Sequence, residues 1–203
     1  MSAADRARLL ELLRTLSFER RKVVLASGRE SDFYIDCKRT ALTAEGHVLI
    51  GRLLLEKVRQ LPPPVRGVGG LTLGADPIAS AVATASFLEL ERWREAQGQA
   101  GAAVGGPPST VDALIVRKEP KGHGTGQWIE GRKTIPDGSR VVVIEDVVTT
   151  GGSALKAIER CRVEQLSPIA CLALVDRQEG GREAIEAQGV PLDALFTRED
   201  FLT

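Results

Sequence analysis

The segment Val141-Val142-Val143-Ile144-Glu145-Asp146-Val147-Val148-Thr149-Thr150-Gly151-Gly152-Ser153 runs from a β-branched stretch through two acids into a turn of hydroxyls and glycines. Four β-branched residues in succession, without polar alternation, read as a strand buried on both faces, the habit of parallel sheets. A strand is expected over Val141–Ile144 and a helix over Ser153–Leu166, which puts the acids and glycines at a strand-to-helix junction. In open parallel sheets, ligands bind beyond the carboxyl ends of the strands. Here the N–H groups of Thr149 to Ser153, with the dipole of the helix they open, can hold a phosphate without any cation. The loop is not GxxxxGK[ST], because the lysine is missing, and no complete GxGxxG follows a strand. Two carboxylates beside a phosphate would repel it unless they face hydrogen-bond donors, and a ribose diol supplies such donors about one ring away from a 5′-phosphate. The segment reads as a ribose 5-phosphate cradle. The plainer alternative is a strand-turn-helix with Ser153 as N-cap.

Working outward, strands are expected at Val65–Gly70, Ala113–Val116, Ile169–Val175 and Leu192–Phe196. Helices are expected over Asp76–Glu91, with Pro77 in the first turn, and over Glu183–Gln188. This alternation implies right-handed crossovers and an α/β fold with a mostly parallel central sheet flanked by helices. Towards the N-terminus, Leu9, Leu10, Leu12, Leu13 and Leu16 recur at helical spacing up to about Ser17. Val23–Leu25 and Phe33–Ile35, separated by Ser27-Gly28-Arg29, suggest a hairpin. Thr43 opens a helix bearing Leu49, Leu53, Leu54 and Val58 that Pro62-Pro63-Pro64 closes. Gln97–Thr110, rich in Gly, Ala and Pro, is expected to be a flexible surface insertion.

The 203 residues suit one domain, and 43% hydrophobic with 27% charged residues is a globular composition. Lys and Arg total 27 against 27 Asp and Glu, so no global field draws in nucleic acid or an anionic membrane. No apolar run approaches the ~18–20 residues of a membrane span, and Asp5, Arg6 and Arg8 stand where a signal peptide would be apolar, so a cytoplasmic location is expected. Cys37, Cys161 and Cys171 lack CxxC spacing and read as reduced packing thiols. With only His47 and His123, a zinc site of several imidazoles is not expected.

Two further junctions carry chemistry. After Ala113–Val116 comes Arg117-Lys118-Glu119-Pro120-Lys121-Gly122-His123-Gly124-Thr125-Gly126, where cations and a histidine crowd a glycine-rich segment. Alone, this is a solvated charged loop. Opposite a ribose-phosphate cradle, its cations match a departing diphosphate and its glycines permit a lid. A lid has a chemical purpose, because breaking an anomeric C–O bond builds oxocarbenium character that water would intercept. After Ile169–Val175 comes Asp176-Arg177; an Arg there can grip a carboxylate bidentately or simply pair with Asp176 or Glu179.

The segment Glu145–Ser153 closely resembles the phosphoribosyl-diphosphate (PRPP) motif of type I phosphoribosyltransferases. Within that class, Ser27-Gly28-Arg29-Glu30-Ser31-Asp32-Phe33-Tyr34-Ile35-Asp36 is similar to the N-terminal signature of the orotate phosphoribosyltransferase family, and Arg117–Gly124 to its catalytic lid. The resemblance covers most of the chain from about Ser27 onward and implies transfer of a phosphoribosyl group from PRPP to orotate. It implies PRPP contacts at Arg117, Lys118, Lys121, His123, Glu145, Asp146, Val147, Val148, Thr149, Thr150, Gly151, Gly152 and Ser153. It places orotate contacts at Thr149 and Arg177. Lys121, His123, Glu145 and Asp146 would be the catalytic group, with Lys121 and His123 stabilising diphosphate electrostatically and no covalent intermediate. Residues 1–40 would contribute a hood over the base to a single domain spanning 1–203. Mg²⁺ would ride mainly on PRPP oxygens, without a dedicated protein metal site. The assembly implied is a homodimer whose lids reach across to the partner's cradle.

The chain departs from that pattern at Ala26, where many bacterial members carry Lys, and at Leu73, within Thr72-Leu73-Gly74, where they carry aromatic-Lys-Gly. The Gly70–Gly74 backbone would then face the diphosphate, with a cis peptide at Leu71–Thr72. Two rivals share the cradle. A purine phosphoribosyltransferase would need no carboxylate-binding Arg177, and a PRPP-sensing regulator would need no lid.

Overall fold

Nine residues form the strand that carries the acid pair, Arg140–Val148, so Glu145 and Asp146 lie on the strand itself and not in the turn beyond it. The extension follows from pairing: the parallel ladder with the next strand continues through Glu145↔Ala173 and Val147↔Val175 to Val148↔Asp176. The structure, a computed structural model, describes residues 2–24, 30–100, 106–120 and 126–202. Lys121 and His123, the remaining lid positions up to Thr125, and Ser27-Gly28-Arg29 lie outside the described residues.

In chain order the helices are α1 (Ala3–Leu12), α2 (Lys38–Ala41), α3 (Ala44–Gln60), α4 (Ala75–Ala100), α5 (Gly152–Val163), α6 (Gly181–Glu186) and α7 (Glu199–Leu202). The strands are β1 (Phe18–Val24), β2 (Glu30–Ile35), β3 (Val65–Leu71), β4 (Asp112–Val116), β5 (Ile129–Glu130), β6 (Arg140–Val148), β7 (Ser167–Asp176) and β8 (Leu192–Thr197). A six-stranded sheet has the order β5-β4-β3-β6-β7-β8, parallel throughout except for the short antiparallel edge β5. The α/β sheet flanked by helices agrees with the pattern expected from the sequence. A separate antiparallel pair, β1 and β2, forms the N-terminal hairpin.

Both faces of β6 are covered, as its unbroken apolar run demands. Val142 and Ile144 join a core with α1, α3 and α4, while Val141 and Val143 join one with α5. Phe33 of β2 is fully buried in the first core, stacking near Phe18 and Phe201 at centroid distances of 4.9 and 5.7 Å. Burial of one such ring is worth about 1.5–3 kcal/mol, enough to tie the hairpin to the main body.

Besides the end of β6, further boundaries and one peptide bond differ from expectation. α4 runs on to Ala100, because Glu91 to Ala96 are mostly good helix formers; the segment expected from Gln97 therefore starts inside a helix. Helix α5 begins at Gly152, with Gly151 in the left-handed region (φ 81°) as its cap, and Ser153 makes no cap. β1 begins at Phe18, five residues before the expected strand start at Val23, with a register shift between Arg20 and Val23. The non-proline cis bond lies at Thr72–Leu73, one residue beyond the expected Leu71–Thr72.

Candidate active site

The ladders align the carboxyl ends of the strands along one sheet edge, pairing Leu71 with Val116, Val148 with Asp176 and Asp176 with Thr197. All three junctions singled out from sequence therefore open on the same edge. At the central one, the first intrahelical bond of α5 is Leu155 N–H to Gly151 O at 2.9 Å, and no side chain caps the helix. The N–H groups of Gly152 to Ala154 precede that bond and are available to an anion. Thr150, Gly152 and Ser153 are exposed, and a Cβ added at Gly152 would meet nothing within 4 Å. Gly151 and Gly181 lock the turn against α6, where a Cβ at Gly181 would stand 2.5 Å from Thr149 O.

Below the turn, the acids occupy different environments. Glu145 is 6% exposed, and burial, then the charge of Asp146, then a hydrogen bond with Asp146 push its carboxyl well above the ordinary range. Asp146 accepts the Val147 N–H at Oδ1 (2.9 Å), and its carboxylate presses on Gly74, whose added Cβ would come within 2.4 Å of it. Only glycine lets the loop after β3 approach this closely. The structure thus brings the acid pair, the phosphate turn and the Leu71–Gly74 loop together.

Arg177 is 6% exposed, with its guanidinium 5.3 Å from the Phe33 ring centroid and 2.8 Å from Glu179 Oε1. It sits under the hairpin and pairs with Glu179, not Asp176. Asp176 turns inward to the Gln178 N–H (2.8 Å) and Arg182 (3.1 Å), a brace that fixes the backbone from which Arg177 projects.

Beyond β4, Arg117 N–H donates to Trp128 O (2.9 Å), closing the base of a long β4–β5 hairpin loop. Arg160 of α5 binds the carbonyls of Arg117 and Lys118, the latter at 2.7 Å, and lies 4.3 Å over the Trp128 ring. Glu164 accepts the Trp128 N–H at 3.1 Å. Both feet of the expected lid are thus pinned to the helix whose other end forms the phosphate turn. Arg117 itself pairs with Glu130 at 3.1 Å.

Sequence reading missed Lys38 and Arg160, whereas Glu179 is one of the two partners it offers for Arg177. Arg160, in the last turn of α5, and Glu164, its C-cap, stand four apart, so their proximity was available as a signal. Lys38, whose Nζ lies 4.0 Å from Asp146 Oδ2, comes from a distant element and left no local signature. Among the described residues, no three His, Cys, Asp or Glu gather into a metal site, and no helix is long and apolar enough to cross a membrane. The three thiols are free and buried; burial raises all of them, Cys161 to about 12.

An acid pair on a strand and an uncapped helix start just beyond it form a junction able to receive an anion beside hydroxyl donors, and the Phosphoribosyl transferase domain family matches residues 93–188. The relatives narrow the class. Orotate phosphoribosyltransferase of Sorangium cellulosum (strain So ce56) is 48% identical over 200 residues, covering 98% of this chain and 94% of the relative. That of Synechocystis sp. is 47% identical over 98% of this chain and 89% of the relative. The crystal structure of Mycobacterium tuberculosis H37Rv orotate phosphoribosyltransferase in complex with PRPP superposes with a TM-score of 0.72 at 37% identity, covering 98% and 99% of the two chains. The chain belongs to the orotate phosphoribosyltransferase family.

Proposed function

We propose that the chain transfers the phosphoribosyl group of PRPP to orotate, giving orotidine 5′-monophosphate and diphosphate, the ribosyl step of pyrimidine synthesis. The observation that carries this reading is the acid pair on β6, directly ahead of an uncapped helix start, with a buried arginine just past the end of the neighbouring strand. The N–H groups from Thr149 to Ser153 hold the 5′-phosphate. Glu145 and Asp146 accept the ribose hydroxyls and stabilise the positive charge that develops on the ring. Arg177 exchanges Glu179 for the orotate carboxylate, under residues 1–40 acting as the hood. The anomeric C–O bond breaks with its electron pair on diphosphate, and orotate N1 forms the new C–N bond while its proton passes to the departing diphosphate. Lys121 and His123, from the resemblance, steady the leaving diphosphate.

The hard oxygen donors of Glu145 and Asp146 suit magnesium, which we assign chiefly to PRPP oxygens with the acid pair as its protein neighbours. When bound, the ion offsets diphosphate charge. We place the protein in the cytoplasm, where free buried thiols stay reduced.

The test is a spectrophotometric assay with PRPP and Mg²⁺ offering orotate, uracil, adenine and hypoxanthine separately. Consumption of orotate is expected; turnover of a purine base in its place would overturn the reading.

A homodimer with shared sites is part of the proposal. Exposed Leu42, Val48, Phe87 and Leu88, on the α2–α3–α4 side, support it as apolar surface for a second copy. Inactive Lys121→Ala and Asp146→Asn proteins, allowed to exchange subunits equally, form about half mixed dimers. Lids acting across the interface restore about a quarter of wild-type activity, since each mixed dimer gains one intact site. Zero recovery after verified exchange would exclude shared sites.

A further inference from the structure

On the phosphoribosyl-transfer reading, a dense diphosphate charge must be met by cations, and Leu71-Thr72-Leu73-Gly74 supplies none. Thr72 gives its hydroxyl to Asp76 Oδ2 at 2.5 Å, and Leu73 is exposed. Ala26 is also uncharged. A cation reaches this corner from another element. Lys38, the first residue of α2, holds Nζ 2.7 Å from Asp36 Oδ1 and 4.0 Å from Asp146 Oδ2. That same Oδ2 is the atom that a Cβ at Gly74 would approach to 2.4 Å, while Oδ1 is engaged by the Val147 N–H. Loop, ribose acid and ammonium therefore meet at one oxygen.

The ammonium is anchored but not trapped. Asp36 is fixed through its own N–H to Ser17 O (3.0 Å), and its Oδ1 accepts both the Lys38 N–H (3.2 Å) and the ammonium. The Lys38 side chain is 37% exposed, and its flexible four-carbon stem lets the charge move while the backbone stays put. We propose that Lys38 is a diphosphate-binding residue, whose ammonium moves from Asp146 Oδ2 to a diphosphate oxygen as Asp146 accepts the ribose hydroxyls. The exchange leaves neither the carboxylate nor the ammonium without a counterpart, and it places a cation beside a loop that has none of its own. The rival role is a brace of the β2–α2 turn through Asp36 alone.

Kinetics of the reverse reaction separate the two roles, with orotidine 5′-monophosphate and diphosphate varied independently for wild type, Lys38→Met and Lys38→Arg. Lys38→Met should raise the KM for diphosphate about tenfold to a hundredfold, the range of one charge-assisted contact, and Lys38→Arg should restore most of it. The KM for the nucleotide should stay within about twofold. Calorimetric titration of magnesium diphosphate onto the protein without any base should show the same loss. An equal rise in both KM values, or no change in diphosphate affinity, would overturn the proposal. Because that titration involves no base, a protein that refuses orotate yet loses diphosphate affinity in Lys38→Met would overturn the orotate assignment and leave Lys38 standing. If the Met variant does not fold, Lys38→Gln makes the same comparison.

Discussion

The carboxyl ends of β6 and β7 lie side by side, with Val148 opposite Asp176, yet they treat buried charge in opposite ways. At the end of β7, Asp176 is 1% exposed and fully engaged by the Gln178 N–H and Arg182, and Arg177 is closed by Glu179. At the end of β6, two acids lean on each other, and the nearest ammonium among the described residues stands 4.0 Å from one of them. A satisfied acid fixes a backbone, whereas two crowded acids gain most from a ligand that brings hydrogen-bond donors. β7 ends in scaffolding that aims an arginine; β6 ends in the acid pair that we assign to the ribose.

The comparison breaks or sharpens under substitution, beginning with the largest effect. Asp146→Asn should lower kcat/KM about a hundredfold to a thousandfold, in the range seen when one preorganised electrostatic contact is removed. Its melting temperature should hold or rise, because Glu145 loses a like-charged neighbour. Arg177→Ala should cost about 2–4 kcal/mol of transition-state binding, roughly 30- to 1,000-fold in kcat/KM with orotate. The preference for orotate over uracil should collapse with it, and an unchanged ratio of the two bases would remove Arg177 from the carboxylate.

Asp176→Asn should act on stability first. Breaking its buried contact with the half-exposed Arg182 should lower the unfolding free energy by roughly 2–3 kcal/mol in urea titration, with a smaller effect on turnover. Glu145→Gln should do the reverse and stabilise the protein while impairing catalysis. Its carboxyl is raised above the ordinary 4.5, so over the interval between that value and the raised one the native state binds more protons than the unfolded chain. Wild-type stability therefore falls as pH rises through that window. The Gln variant lacks this slope, so its advantage in melting temperature should be widest at alkaline pH and close below about pH 4. A Gln variant that melts lower than wild type at pH 8 would make the β6 end scaffolding too.

The alternation of strands and helices and the strand-to-helix junction at β6 were legible because their determinants are local. An unbroken β-branched run, two acids and paired glycines announce a buried strand and an anion-receptive helix start within thirteen residues. Strand length was not legible from Ile144 onward, because Glu145 and Asp146 look like turn residues until pairing with Ala173 and Val175 keeps the chain extended. Arg177 was visible by its position after a strand, but its choice of Glu179 over Asp176 depends on a turn with Gln178 at φ 58° and on Arg182, which claims Asp176. Lys38 and Gly74 converge on Asp146 from separate elements far away along the chain, and no spacing rule connects positions that distant.

The stacking of Arg160 on Trp128 gives the protein an optical probe at the root of the loop that carries the expected lid cations. The chain has two tryptophans, and Trp93 lies within α4, so a Trp93→Phe variant would leave the indole at the loop base as the sole long-wavelength emitter. Any ligand that shifts the guanidinium from that ring would then be read as a change in emission, on the timescale of a stopped-flow mixing experiment and without a label.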